Sequence, residues 1–114
     1  MSVPVLPVAL GTLVIPLIGA LDSVRIQQLH EQALKSLERS QVRRLLLDVT
    51  GVSVIDSQVA QGLIQTVGVA RLLGTEAILI GIRPEVAQAI VSLGLDLSAI
   101  RTYANLEAAL THAN

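Results

Sequence analysis

Cysteine is missing from the 114 residues, and with it go disulfides, thiolate metal ligands and a cysteine nucleophile. A reducing compartment agrees with that absence. Aromatic residues amount to 1%, in the form of Tyr103 alone, so the chain has no platform for stacking bases or sugar rings. Lys35 is the sole lysine and no glycine run precedes it, which excludes a phosphate loop ending in Gly-Lys-Ser/Thr. The glycine fingerprint of a dinucleotide site and the Gly-x-Ser-x-Gly elbow of a hydrolase are lacking too. Eight basic side chains stand against nine acidic ones, for a net charge of -1. A nucleic-acid backbone therefore finds no basic surface. His30 and His112 lie far apart and read as surface helix residues rather than metal ligands. These absences leave the expectation of no catalytic residues, no metal and no cofactor.

What is present is aliphatic. Hydrophobic residues make up 52% and charged ones 15%, which excludes a disordered tail and fits one domain spanning residues 1–114. Residues 3–21 carry no charge and are long enough to cross a membrane. Pro4, Pro7 and Pro16 argue against a helix there, because an interior proline removes a hydrogen bond and clashes with the preceding turn. Nothing basic precedes the stretch, as a secretory signal would require. The reading is two strands, about residues 3–10 and 13–18, turning near Gly11-Thr12. Pro16 within the second implies an edge or a bulge.

Beyond that hairpin the pattern alternates. Asp22-Ser23 caps a helix with Val24, Leu29, Ala33, Leu34 and Leu37 as its apolar stripe. Residues 42–49 read as a strand buried on both faces. A helix over residues 57–73 follows and stops at Gly74. A strand over 75–82 leads into a helix opened by Arg83-Pro84-Glu85 and closed by Gly94. A short strand near 99–102 and a final helix capped by Asn105 complete the chain. Strand–helix alternation predicts an α/β fold, mainly parallel, made mixed by the hairpin.

Asp22, Asp48 and Asp56 could form a phospho-acceptor set with a metal; the simpler reading is a helix cap for Asp22 and strand-end turns for the others. Ser57 opens the second helix, where free N–H groups and the positive helix end favour an anion. The alternative is that Asp56 or Ser57 only caps the helix, and spacing does not separate the two. Within that helix Val59, Ala60, Leu63, Ile64 and Val67 form an inward stripe. Gln58, Gln61, Gln65 and Gly68 fall on the other side, and no charge occurs between Asp56 and Arg71. A neutral outer face fits either plain solvent or a partner, since contact surfaces are depleted of charge at their centre.

The run Asp48-Val49-Thr50-Gly51-Val52, continued by Ile55-Asp56-Ser57 and Ala60, resembles the STAS domain (sulfate transporter and anti-sigma factor antagonist). Gly81-Ile82-Arg83-Pro84-Glu85-Val86-Ala87-Gln88 and Ile90-Val91-Ser92-Leu93-Gly94-Leu95-Asp96-Leu97 are similar to its stressosome branch, of scaffold and co-antagonist proteins. Val14-Ile15-Pro16-Leu17-Ile18-Gly19 matches the same branch, and the Arg83-Pro84-Glu85 wording leans to a co-antagonist C-terminal domain. The resemblance implies a mixed sheet of four or five strands with four helices, and a cytoplasmic regulatory module without catalysis. It further implies that Ser57 is phosphorylated by a serine/threonine kinase of the anti-sigma type and restored by a serine phosphatase. Asp56, Gln58, Gln61, Gln65 and Arg83 are then the expected partner-binding residues, Arg83 if its loop reaches Ser57. Other STAS proteins, including copies of this chain, are expected partners; nucleic acid and membrane are not. Alanine in Gln88-Ala89-Ile90-Val91 stands at or near the second threonine that co-antagonists phosphorylate, and Ser92 does not match it in position. The competing expectation is a module for a small ligand, nucleotide or lipid, at strand ends near Asp48 and Gly81.

Overall fold

Gly11, at φ 74°, reverses the chain between β1 (Leu6–Ala9) and β2 (Thr12–Ile18). A computed structural model describes residues 3–39, 41–52, 55–94 and 100–112. After the hairpin come α1 (Ser23–Arg39), β3 (Arg44–Gly51), α2 (Ser57–Leu72), β4 (Glu76–Ile80), α3 (Pro84–Ser92), β5 (Arg101–Tyr103) and α4 (Leu106–His112). The strands form one sheet in the order β1-β2-β3-β4-β5. β1 runs antiparallel to β2, and every other neighbouring pair is parallel. The expected α/β class, mixed sheet and four helices are all found.

The central strand explains the aliphatic composition. Leu45, Leu46 and Leu47 of β3 are essentially without exposure, because successive side chains point to opposite faces and both faces are covered. On one face Ile15, Leu17, Leu45, Leu47 and Leu79 pack under Leu29 and Ala33 of α1 and Val59, Leu63, Val67 and Ala70 of α2. On the other, Val14, Leu46, Ile78 and Ile80 meet Ala109 of α4. Each such aliphatic side chain contributes roughly 1.5–3 kcal/mol by leaving water. α3 adds Val86 and Ile90 against Ala60 of α2.

Several expected details shift. β1 starts at Leu6 rather than near residue 3, and β3 and β4 run Arg44–Gly51 and Glu76–Ile80 instead of 42–49 and 75–82. Strand ends follow the neighbour's length, which local composition does not carry. Pro16 is not on an edge strand, since β2 lies between β1 and β3. The bulge half of the expectation holds: the β2–β3 register shifts between Pro16 and Ile18. β1 pairs only as far as Val14, so Pro16 sits where β2 has a ladder on one side. Val24 is 62% exposed and leaves the α1 stripe, while Ile26 packs against the core in its place. Leu95-Asp96-Leu97 of the quoted motifs, the start of the strand expected near 99–102, and the His112 side chain lie outside the described residues.

Candidate functional site

The end of β3 delivers the chain to the start of α2. Val52 is fully buried and its N–H donates to Val49 O at 3.0 Å, which turns the backbone off the sheet. Asp56 then adopts an extended conformation (φ -95°, ψ 176°) and its Oδ1 accepts the Val59 N–H at 2.8 Å. That is an N-cap, so Asp56 is more than a strand-end turn residue. Its carbonyl accepts the first helical bond from Ala60 N at 3.0 Å. The cap is thereby filled one residue before Ser57. Ser57 occupies the first helical position, exposed, and no hydrogen bond among the described residues engages its hydroxyl. Between the two readings of the sequence, Asp56 takes the cap and leaves Ser57 Oγ uncommitted.

The face beside it is neutral. Gln58, Gln61, Gln65 and Gly68 are exposed, whereas Val59, Ala60, Leu63 and Val67 are buried, with Thr66 and Ala70 added to the inward stripe. Ile64 is only half-buried. α1 lies alongside. Ile26 touches Gly62 so closely that a Cβ on Gly62 would collide with the Ile26 Cγ2 methyl. The resulting groove, about 320 Å³, has Ser23 and Gln27 of α1 on one wall and Gln58, Gln61 and Gln65 of α2 on the other. No charged side chain lines it. The α1 wall was not anticipated, because the contact joins residues far apart in sequence.

Farther along the same seam His30 Nδ1 lies 3.2 Å from Thr66 Oγ1, and Thr66 Oγ1 donates to Gly62 O at 2.9 Å. With its proton given to Gly62, the hydroxyl accepts, so His30 Nδ1–H is the donor. His30 is half-buried in the helix pair rather than a plain surface residue.

Arg83 is at the N-terminus of α3 without a side-chain cap, and its Nε donates to Thr50 O at 3.1 Å. It is exposed and pinned to the end of β3, and no hydrogen bond joins it to Asp56 or Ser57 among the described residues. Asp48 lies within β3 rather than in a turn, with Oδ1 accepting from Thr50 N at 3.0 Å and Thr50 Oγ1 at 2.6 Å. Asp22 is a helix cap, accepting Arg25 N at 2.8 Å. Among the described residues no three His, Asp or Glu side chains gather as metal ligands would. Gly81, at φ +74°, lies so close to Thr50 that a Cβ there would run into its side chain. Thr50, hydrogen-bonded to Asp48 and in contact with Gly81, stands at the strand ends expected for a small ligand. An apolar recess of about 400 Å³ lies elsewhere, lined by Leu79, Ile82, Ile90, Val91 and Ile100, with Thr102 at its margin. Among the described residues no helix is long and apolar enough to cross a membrane.

Residues 3–109 match the family model described as the STAS domain. The chain is 40% identical over 107 residues to the RsbT co-antagonist protein RsbRA of Bacillus subtilis (strain 168), covering 94% of this chain and 39% of that protein. The solved structure of an RsbS variant from Moorella thermoacetica superposes with a TM-score of 0.84 at 32% identity, over 96% of this chain and 92% of that one. The phosphorylated Bacillus cell-fate determinant SpoIIAA gives a TM-score of 0.76 at 18% identity, over 99% and 100%, a likeness of fold alone. The chain belongs to the STAS family, on the branch that holds the RsbR and RsbS proteins. It spans about two fifths of the length of the RsbR relatives it matches, 39% of RsbRA and 40% of RsbRD.

Proposed function

We propose that this domain is a non-catalytic scaffold and regulatory module of a stressosome or anti-sigma antagonist pathway, switched by reversible phosphorylation of Ser57. The observation that carries the reading is the exposed Ser57 hydroxyl, left free by the Asp56 cap at the head of an uncharged glutamine face. Support comes from relatives named as RsbT co-antagonists and from a matched stressosome structure at 30% identity. The kinase and phosphatase act in the cytoplasm, and other STAS domains are binding partners.

A phosphate brings nearly two negative charges. The α2 N-terminus favours it by about 0.3–1 kcal/mol, and the Asp56 carboxylate opposes it by about 1 kcal/mol per unit charge at ~4 Å in water-like surroundings, so the two offset to within about 2 kcal/mol. The fold is therefore nearly indifferent to modification. A docked partner is not, because an unpaired charge trapped in a neutral interface costs about 3–5 kcal/mol. Unmodified Ser57 admits one set of partners, and the phosphoserine expels them. Gln58, Gln61 and Gln65 supply the contact face. Arg83, whose Nε donates to Thr50 O, remains part of the proposed partner contact.

The test is incubation with γ-labelled ATP and a purified serine/threonine kinase of the anti-sigma type from the source cell, followed by peptide mapping. Label on Ser57 is the expected result; a kinase that labels its other STAS substrates but leaves Ser57 bare overturns the proposal. The ligand-binding alternative retains the apolar recess beside α3, which suits a lipid chain better than a nucleotide, since Thr102 is its one polar lining residue.

A further inference from the structure

The chain writes the start of α2 twice. Leu21-Asp22-Ser23 opens α1 as Ile55-Asp56-Ser57 opens α2. The likeness extends to geometry. Asp22 Oδ1 accepts Arg25 N at 2.8 Å, and Asp56 Oδ1 accepts Val59 N at 2.8 Å. In both helices the aspartate fills the cap three residues ahead, so the serine at the first helical position keeps its hydroxyl out of the cap. Leu21 and Ile55, one residue before each cap, both pack against the main core, which fixes the entry of the chain at both places. Ser23 and Ser57 are both exposed.

The two helices also place these serines side by side. α1 follows β2 and α2 follows β3, two parallel strands, and both helices cover the same face of the sheet. They therefore run in the same direction. Ile26 meets Gly62, and His30 meets Thr66. Both contacts join residues 36 apart in sequence, which sets the register of the pair. Ser23 and Ser57 are 34 apart, so they differ by two residues of rise, about 3 Å along the axes. Packed helices lie about 8–10 Å apart, and glycine at position 62 favours the near end of that range. Ser23 itself lines the uncharged groove, opposite Gln58.

We infer that Ser23 is a second phospho-acceptor on the same partner-facing surface, served by the kinase that modifies Ser57. The inference rests on the proposed function above for the identity of that enzyme. A kinase that docks on the groove finds two aspartate-capped serines within one footprint. In the transfer, Ser23 Oγ forms a bond to the γ-phosphorus of a nucleoside triphosphate. The bridging oxygen bond between the γ- and β-phosphorus breaks, and the nucleoside diphosphate departs. The hydroxyl proton passes to the kinase's base. The product places a dianion on the α1 wall, where it obstructs a seated partner as a charge at Ser57 does from the α2 end.

The experiment compares four proteins: the native chain, Ser57→Ala, Ser23→Ala and the double variant. Each is incubated with the purified anti-sigma-type kinase and γ-labelled ATP, and the phosphopeptides are mapped by mass spectrometry. Both aspartate caps remain, so all four are expected to fold, which circular dichroism checks. The expected result is label on Ser23 in the native chain and in Ser57→Ala, lost in the double variant. Label confined to Ser57, with Ser57→Ala bare or labelled elsewhere, overturns this inference and leaves the Ser57 switch standing. Label on Ser23 with none on Ser57 overturns the Ser57 reading and, with it, the claim that one kinase serves both serines. A native chain that takes no label overturns both. As a second readout, Ser23→Asp is expected to weaken binding to a partner STAS domain by about tenfold or more, a change of ~1.4 kcal/mol. Unchanged affinity removes the regulatory half of the inference.

Discussion

At the scale of single residues, Asp56 and Ser57 divide two tasks that sequence spacing leaves entangled. Asp56 caps the helix at its start and the exposed Ser57 hydroxyl is left out of the cap. Their substitutions should separate accordingly. Asp56→Ala removes the acceptor for Val59 N and is expected to lower stability by about 1 kcal/mol, within about 0.5–2, in urea unfolding. Ser57→Ala, on the exposed side, should stay within about 0.5 kcal/mol of the native chain. Equal losses from the two would mean that the serine shares the cap. Ser57→Asp tests the switch itself. Its stability should change by no more than about 1 kcal/mol, because the helix end and Asp56 act in opposite senses. Its affinity for a partner STAS domain should fall a hundredfold or more, following the roughly 3–5 kcal/mol cost of an unpaired charge in the interface. Titration calorimetry reads that loss, and an undiminished affinity would show that the serine lies outside the contact.

Between elements, the seam of α1 and α2 is set by one absent side chain. Gly62→Ala should raise intrinsic helix propensity by about 1 kcal/mol. The new Cβ would meet Ile26 Cγ2, however, and pushing α1 away costs roughly 1–3 kcal/mol. Net destabilisation is expected, together with weaker partner binding as the groove changes shape. Truncating Ile26 to alanine in the same chain should recover part of the loss, with a coupling of about 0.5 kcal/mol or more in a double-mutant cycle. Strictly additive effects would mean that the helices do not meet there. This seam also marks how far the sequence could be read. Helix starts were legible because a cap joins residues three apart: Asp22 to Arg25, Asp56 to Val59, Asn105 to Ala108. The glutamine face of α2 was legible from its spacing. The exchange of Val24 for Ile26 in the stripe was not, since it is decided by Gly62, far along the chain. His30 with Thr66 and Arg83 with Thr50 are likewise long-range, so neither contact is legible from local spacing. Pro16 was legible as an anomaly, and only the strand order and register tell why β2 tolerates it.

For the molecule as a whole, charge is scarce and nearly balanced, with a net charge of -1 and 15% charged residues. One face of the sheet carries α1 and α2, whose shared groove has no charged lining, and α4 packs on the opposite face. Such a molecule has little long-range field with which to steer a partner. Its unmodified association rate should lie in the ordinary unsteered range, about 10⁵–10⁶ M⁻¹s⁻¹. Raising ionic strength from about 0.01 M to 0.1 M shortens the screening length from ~30 Å to ~10 Å, and should change that rate less than about threefold. Under the proposed switch, phosphorylation would act mainly on how long the complex lasts, because the cost of a buried charge is felt only once the surfaces have closed. Stopped-flow mixing with a partner STAS domain at the two salt concentrations measures both rates. A tenfold or steeper fall in association rate with salt would show that charged groups outside the groove bring the partner in. The neutral face would then lose its place as the centre of recognition.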